Sequence, residues 1–186
     1  MNLSLIILKK KINNSFEVNK ALFLDRDGVI NEEVGYIYNI EKFQFKPGIV
    51  ELISMANCLG YKVIVITNQG GISKGLYTQQ DLQKIHDFML ARLEGFGAMV
   101  DKIYYCPHHP EQTRCLCRKP EKLFFERAIH SFHIDPKLSF MLGDKQHDLT
   151  PAKLLGITTV LVGVQDPMYS ADYYCPEISD VLSILV

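Results

Sequence analysis

Two aspartates one residue apart, Asp25 and Asp27, are the strongest candidates for chemistry in this sequence. They follow an apolar run over 21–24, and Gly28 comes directly after them. This pattern predicts a buried strand that ends in a tight turn. Open parallel sheets bind ligands at the carboxyl ends of their strands, and the alternation along a strand would place both carboxylates on one side. Because close carboxylates repel each other without a cation, we expect Mg²⁺ between them.

Two further apolar runs end in polar groups that suit the same site. The run over 63–66 leads into Thr67-Asn68-Gln69-Gly70-Gly71, where a hydroxyl beside free backbone N–H groups can hold a phosphate. The run over 139–142 leads into Gly143-Asp144, which supplies a second acid for the cation beside Asp25. Either segment alone is equally typical of a turn without a ligand.

Three of the five cysteines lie in one short segment with a histidine. Cys106 and His108 are separated by one residue, and after six intervening residues come Cys115 and Cys117, again separated by one. Three thiolates and one imidazole suit tetrahedral Zn²⁺, and four protein ligands indicate a structural site. His109 is an alternative to His108 as the ligand, and free thiols on a loop are the alternative to a metal site.

A basic pair, Arg118 and Lys119, follows the cysteines directly. Arginine can bind phosphate oxygens with a bidentate fork, and lysine can bind them as a point charge. The alternative is a solvated basic pair without a ligand.

Strands and helices alternate along the chain, which predicts an α/β fold with a Rossmann-like parallel sheet and helices on both faces. One helix has a capping box formed by Thr78 and Asp81, and we expect His86 on its polar side. We expect an irregular loop over 31–46. The other predicted elements are helices over 47–59 and 123–132, strands over 102–105 and 158–162, and a weakly helical tail.

Composition excludes some classes of protein. The net charge of −1 gives no sign of nucleic-acid binding, and no apolar run reaches the roughly 18 residues of a membrane span. We expect residues 1–19 to be an N-terminal extension and residues 20–186 to form a single domain.

Four signals follow one another along the chain: Asp25-x-Asp27-Gly28, Thr67, Lys119 and Gly143-Asp144-x-x-x-Asp148. In this order they resemble the motifs of the haloacid dehalogenase (HAD) superfamily of phosphotransferases, and the match covers about 20–164. Within this superfamily, the chain resembles the branch of histidinol-phosphate and heptose-bisphosphate phosphatases, which have this Cys-His-Cys-Cys loop and no large cap domain. Several segments are similar to the heptose enzymes, including Tyr104-Tyr105-Cys106-Pro107-His108-His109-Pro110. The six residues between His108 and Cys115 are instead nearer the histidinol type.

The resemblance implies a phosphatase mechanism. Asp25 would attack phosphorus and form an aspartyl-phosphate, and Asp27 would serve as general acid and then as general base. Mg²⁺ would be held by Asp25, Asp144 and the backbone carbonyl of Asp27. Thr67 and Lys119 would hold the other oxygens of the transferring phosphoryl group.

The resemblance also implies which residues meet the substrate. Asn68, Gln69, Arg118 and Lys145 would bind it, and Asp148 would orient Lys119 or a metal-bound water. We expect a monomeric, cytoplasmic enzyme that removes the C7 phosphate of a heptose 1,7-bisphosphate in the synthesis of nucleotide-activated heptose for lipopolysaccharide or surface glycans. Histidinol phosphate is the alternative substrate. A nucleic-acid 3′-phosphatase and a non-catalytic zinc-binding module fit the sequence less well.

Overall fold

The computed structural model describes residues 18–185, which form a six-stranded sheet in the order β3-β2-β1-β4-β5-β6. Every pair of neighbouring strands is parallel, so the predicted parallel α/β fold is confirmed. The predicted extension over 1–19 lies outside the described residues except for its last two. None of the described helices has the length and apolar character of a membrane span.

The main elements are, in chain order, β1 Lys20–Leu24, α1 Ile49–Cys58, β2 Tyr61–Asn68, α2 Gln79–Gly95, β3 Lys102–Cys106, α3 Leu123–Phe132, β4 Phe140–Gly143, α4 Gln146–Leu154, β5 Thr158–Val162, β6 Tyr173–Cys175 and α5 Leu182–Leu185.

Strand β1 lies in the middle of the sheet because both of its faces are apolar. Leu22 and Leu24 pack in a core shared with α1, α2 and α5, whereas Ala21 and Phe23 pack on the opposite face with α3 and α4. All four of these residues are completely buried. A continuous apolar run is typical of a strand covered on both faces, as the sequence predicted.

The loop after β1 covers the carboxyl edge of the sheet. It contains one 3-10 turn, Ile40–Lys42, and an antiparallel bridge between Asn31 and Phe45. The ring of Tyr38 stacks on the ring of Tyr77 with centroids 5.8 Å apart. Aromatic packing therefore orders this loop, which forms no separate cap within the described residues.

Strand β6 was not predicted. It has three residues, of which only Cys175 is buried, so it carries no apolar run. Its position depends on Asp172, whose carboxylate accepts hydrogen bonds from the backbone N–H and the hydroxyl of Thr159 in β5. Such a contact between distant residues has no local signal.

Candidate active site

Strand register brings the predicted site residues to one edge of the sheet. Leu24, the last residue of β1, pairs with Val65 in β2 and with Leu142 in β4. The segments that follow these three residues therefore begin side by side. The backbone N–H of Asp25 continues this pairing by donating to the carbonyl of Leu142 at 3.1 Å.

Lys119 joins two of the acids. Its ammonium lies 2.8 Å from Oδ1 of Asp25 and 2.7 Å from Oδ1 of Asp148, and its side chain is completely buried. Burial raises the pKa of Asp25 to about 7, although Lys119 opposes this shift. Burial would lower the pKa of Lys119, but the two carboxylates outweigh it and raise that pKa. Lys119 is therefore a permanent cation in this site.

Asp27 has a different set of partners. Arg26 donates from Nη2 to both of its carboxylate oxygens at 2.8 Å, and Asn31 and Gln69 donate to it at 3.0 and 2.8 Å. Burial would raise the pKa of Asp27, but Arg26 and these hydrogen bonds hold it below its usual value. The sequence did not indicate this role for Arg26.

Thr67 and Gln69 are linked beneath the same cavity. The Gln69 side-chain amide donates to the Thr67 hydroxyl at 2.9 Å, and the Tyr77 hydroxyl donates to Gln69 Oε1 at 2.6 Å. Because the Thr67 oxygen accepts here, its own proton is free to be donated elsewhere. Gln69 was predicted to bind substrate, and its amide also orients the two side chains to which it donates.

Asp144 packs against the turn after β1. Gly28 has a φ of +86°, and a Cβ at this position would collide with the Asp144 carboxylate. Oδ1 of Asp144 is buried and has no hydrogen-bond partner among the described residues. Burial and the nearby Asp148 raise the pKa of Asp144 to about 6. An unpaired buried carboxylate oxygen of this kind suits a cation ligand.

Lys145 and Asn68 have partners that the sequence did not reveal. The Lys145 ammonium lies 3.1 Å from Glu33 and 3.6 Å from Asp144, so it is an ion-paired cation rather than a free one. Asn68 accepts from the backbone N–H of Lys119 at 3.0 Å and donates to its carbonyl at 3.1 Å. It therefore anchors the backbone that presents the buried lysine. Their predicted contact with substrate stays a prediction.

Two adjoining cavities open at this edge. The smaller has a volume of about 210 Å³. The larger, about 710 Å³, extends along the cysteine loop, and Asn68, Arg118 and His147 line both. Residues that lie at or after the ends of β1, β2 and β4 line the smaller cavity together with Arg118: Asp25, Asp27, Glu33, Gly35, Tyr36, Ile37, Thr67, Asn68, Gln69, Lys145 and His147.

The cysteine motif closes into one cluster. Ligand atoms of Cys106, His108, Cys115 and Cys117 all lie within 4.8 Å of one another. Nδ1 of His108 is 3.3 Å from the Cys117 sulfur, whereas Nδ1 of His109 lies 3.4 Å from Glu111. The structure therefore favours His108 over His109, and the donor set suits tetrahedral zinc.

His86 was expected on the polar side of α2, and this expectation was wrong. It is only 3% exposed, and its Nε2 lies 3.3 Å from Nη1 of Arg26. Its spacing gave a signal, because His86 stands four residues after Leu82 and three before Met89 on the buried face. Tyr77, which orients Gln69, had no comparable local signal.

Comparison with known proteins agrees with this geometry. Residues 116–180 match the HAD-hydrolase-like family model. The chain is 42% identical over 146 residues to D-glycero-beta-D-manno-heptose-1,7-bisphosphate 7-phosphatase of Haemophilus ducreyi, covering 75% of this chain and 80% of that protein. It is 42% identical over 150 residues to D-glycero-alpha-D-manno-heptose-1,7-bisphosphate 7-phosphatase of Burkholderia mallei, covering 77% and 79%.

A solved structure shares the fold. It is D,D-heptose 1,7-bisphosphate phosphatase from B. bronchiseptica, complexed with magnesium and phosphate. Its TM-score is 0.82 at 28% identity, and the match covers 89% of this chain and 97% of that one. The resemblance drawn from the motifs is thereby confirmed. The chain is a phosphoric monoester hydrolase and belongs to the HAD-like phosphatase family that includes the D-glycero-D-manno-heptose-1,7-bisphosphate 7-phosphatases.

Proposed function

We propose that this enzyme hydrolyses the C7 phosphate ester of D-glycero-D-manno-heptose 1,7-bisphosphate, as a step in making nucleotide-activated heptose for lipopolysaccharide or surface glycans. The observation that carries the chemistry is the buried Asp25 carboxylate, held by Lys119 at the wall of a cavity. The names of two relatives support the substrate. The proposal covers both anomers, because one relative is named for the beta form and the other for the alpha form.

Asp25 is the proposed nucleophile. Its Oδ1 accepts from the backbone N–H of Arg26 at 2.7 Å and faces Lys119, so we assign the attack on phosphorus to Oδ2. The new bond joins Oδ2 to phosphorus as the bond from phosphorus to the sugar oxygen breaks. Lys119 and the free proton of Thr67 would bind the phosphoryl oxygens, where preorganised donors lower the barrier most.

Asp27 is the proposed general acid and base. It would give a proton to the departing sugar oxygen, then take a proton from the water that attacks the aspartyl-phosphate. Arg26 keeps the pKa of Asp27 low in the free enzyme, which suits the second role. The negative phosphate of a bound substrate would raise that pKa and so favour the first role, because like charges disfavour ionisation.

The site fits Mg²⁺ by its donor set. Asp25 is buried and Asp144 is half-buried, and Oδ1 of Asp144 is itself buried without a described hydrogen-bond partner. The ligand atoms of Asp25, His147 and Asp148 also lie close together, but the Lys119 ammonium contacts both of these aspartates. We therefore assign Mg²⁺ to Asp25, Asp144 and the Asp27 carbonyl, where it would neutralise charge on the transferring group.

We assign Zn²⁺ to Cys106, His108, Cys115 and Cys117. In the described structure, their side chains contact one another at 3.2 to 3.6 Å, without a disulfide. Sulfur–sulfur distances of about 3.8 Å follow from tetrahedral geometry with zinc–sulfur bonds of about 2.3 Å. The four positions are filled by protein, so the proposed role is to hold the loop rather than to act on substrate.

Arg118 is the proposed ligand of the second phosphate. It lines both cavities, and its Nη1 donates to the backbone carbonyl of His108 at 3.1 Å, which orients the guanidinium. Lys145 would bind the second phosphate only if it gave up its ion pair with Glu33 or Asp144. Arg118 is therefore the main positive charge that the site offers to the second phosphate of a bisphosphate.

The test compares kcat/KM for the heptose bisphosphate and for histidinol phosphate on one preparation. We expect the bisphosphate to be the better substrate, because Arg118 attracts a phosphate and repels an ammonium group. Arg118→Gln should lower kcat/KM for the bisphosphate by about tenfold or more, with little change for a simple monophosphate. A preference for histidinol phosphate would overturn the substrate assignment but not the phosphatase chemistry.

A further inference from the structure

Arg26 lies between the two aspartates in the sequence, and its side chain is completely buried. Its guanidinium has partners on two sides. Nη2 and Nε donate to the Asp27 carboxylate at 2.8 to 3.1 Å, and Nη1 donates to Nε2 of His86 at 3.3 Å. A buried cation is costly unless its donors are matched, so these two partners set the orientation of the guanidinium.

His86 can only accept from Arg26, because a guanidinium has no acceptor atom. The ring proton is therefore on Nδ1 and the Nε2 lone pair faces Nη1. Burial and the nearby guanidinium lower the pKa of His86 to about 4, so the ring is neutral at pH 7. A neutral imidazole can anchor the arginine without adding a second positive charge.

His86 reaches this position from outside the catalytic cavity. It lines a separate cavity of about 260 Å³ together with Tyr105, Asp101 and Lys102. Neither His86 nor Arg26 lines the cavity that contains Asp25 and Asp27. The described contact that links His86 to the catalytic aspartates is therefore its contact with the guanidinium of Arg26.

The remaining contacts of Asp27 leave its orientation dependent on Arg26. Asn31 donates to Oδ1 at 3.0 Å and Gln69 donates to Oδ2 at 2.8 Å. Arg26 is the only one of these partners that contacts both oxygens, and so it sets the rotation of the carboxylate about its own axis. A rotated carboxylate would point its proton away from the leaving oxygen, which general acid catalysis does not tolerate.

We propose that His86 is a positioning residue for phosphoryl transfer, which holds Arg26 so that Asp27 keeps the orientation needed to protonate the leaving sugar oxygen. This inference rests on the proposed role of Asp27 as general acid. In the step concerned, the bond from Asp25 to phosphorus forms, the bond from phosphorus to the sugar oxygen breaks, and the Asp27 proton moves to that oxygen. His86 neither gains nor loses a proton.

The test measures kcat/KM for a series of phosphate monoesters, from p-nitrophenyl phosphate to alkyl and sugar phosphates. This parameter reports only the steps through the first irreversible one, which is cleavage of the phosphorus–oxygen ester bond. Nitrophenolate leaves without a proton, whereas an alkoxide needs one. Loss of the acid should therefore harm poor leaving groups most, and Asp27→Asn provides the reference for that pattern.

His86→Leu removes the acceptor that Nη1 uses, and His86→Asn withdraws it, because the shorter side chain does not reach the position of Nε2. We expect each to lower kcat/KM by roughly tenfold for alkyl and sugar phosphates and by less than about twofold for p-nitrophenyl phosphate. The tenfold loss is smaller than the roughly 10²–10⁴-fold contribution of a general acid, because the acid itself is still present. His86→Gln places an amide oxygen near the position of Nε2 and should restore most of the loss. Met89→Leu, a volume-conserving change on the same buried face of α2, is the control for packing.

The outcomes separate the inference from the proposed function. Equal losses for all substrates, no loss, or failure of His86→Gln to restore activity would each overturn the positioning role. If Asp27→Asn itself shows no dependence on the leaving group, the general acid assignment fails and the inference fails with it. Thermal melting of each variant confirms that the measurements refer to folded protein. Should His86→Leu fail to fold, the comparison of His86→Asn with His86→Gln decides the question.

Discussion

Asp25 and Asp27 belong to one turn, and yet their carboxylates are held by different cations. Asp25 and Asp148 both contact Lys119, and burial raises the pKa of Asp25 to about 7. Asp27 forms an ion pair with Arg26, and this pairing lowers its pKa. With Mg²⁺ and substrate bound, both pKa values would change in the direction that the proposed roles need. A divalent cation lowers the pKa of the nucleophile Asp25, and a bound phosphate raises the pKa of the general acid Asp27. The environment therefore distinguishes two chemically identical groups.

Asp25→Asn should abolish turnover and leave the fold intact, because an amide is a poor nucleophile and a weak Mg²⁺ ligand. Phosphate release and thermal melting would be measured on the purified variant. Retention of more than about a tenth of the wild-type rate would mean that less than ~1.4 kcal/mol of the barrier depends on this carboxylate. In that case the nucleophile would have to be sought elsewhere.

Gly28→Ala should reduce activity severely, because the new Cβ would collide with the Asp144 carboxylate and displace it. The φ of +86° adds strain of about 1 kcal/mol for any residue with a Cβ. Activity as a function of Mg²⁺ concentration and thermal stability would be measured.

Gly60→Ala is the matched control for Gly28→Ala, because Gly60 lines neither of the two cavities. Its φ is +81°, but a Cβ there would meet nothing within 4 Å. We expect a similar loss of stability with activity preserved. Equal losses of activity in the two variants would contradict the role given to the contact between Gly28 and Asp144.

The loop between β3 and α3 determines where Arg118 and Lys119 lie. The cluster of Cys106, His108, Cys115 and Cys117 ties its two ends together, and Leu116, between two of the ligands, is 72% exposed. A segment with so little buried apolar surface depends on other interactions for its order. Asn68 then pairs with the backbone of Lys119 from the end of β2. The loop and the sheet thus position the buried lysine jointly.

Cys115→Ser should lower the melting temperature and the zinc content, because a structural metal contributes directly to folding. Metal analysis of protein purified without added zinc should find one zinc per wild-type chain. Cys58→Ser is the control, because Cys58 is exposed and lies outside the cluster. Unchanged melting of metal-free protein would remove the structural role assigned to the ion.

The sheet as a whole assembles the site because β1 lies between β2 and β4. Asp25 and Asp144 follow β1 and β4, Thr67 lies next to the last residue of β2, and Lys119 reaches them from the loop before α3. The first strand is itself anchored at its start. Asn19 donates from its side chain to the carbonyl of Phe132 at 2.7 Å, and the backbone N–H of Ala21 donates to the Ser139 hydroxyl at 2.9 Å.

A chain beginning at Val18 should keep the melting temperature and kcat/KM of the full chain, because β1 and every candidate site residue lie after Asn19. This truncation tests the predicted division into an extension over 1–19 and a domain over 20–186. A chain beginning at Leu22 is the control, since it lacks the anchor at Asn19 and the first two residues of β1. We expect it not to fold. Loss of activity in the longer chain would show that the extension belongs to the domain.

Local spacing was enough to predict most of the elements and to select the candidate site residues that the fold brings to one edge of the sheet. An apolar run defines β1, the capping box of Thr78 and Asp81 begins α2, and the cysteine spacing predicts the cluster of three cysteines and one histidine. Each of these signals joins residues a few positions apart, whose relation is set by the period of a strand, a helix or a turn.

Contacts between distant segments required the fold. Examples are the sharing of Lys119 by Asp25 and Asp148, the ion pair of Lys145 with Glu33, and the burial of His86 against Arg26. These pairs depend on strand order and on which helix face packs against the sheet, which no local period specifies. The short strand β6 was not predicted for the same reason. It is held by the contact between Asp172 and Thr159 and has no apolar pattern of its own.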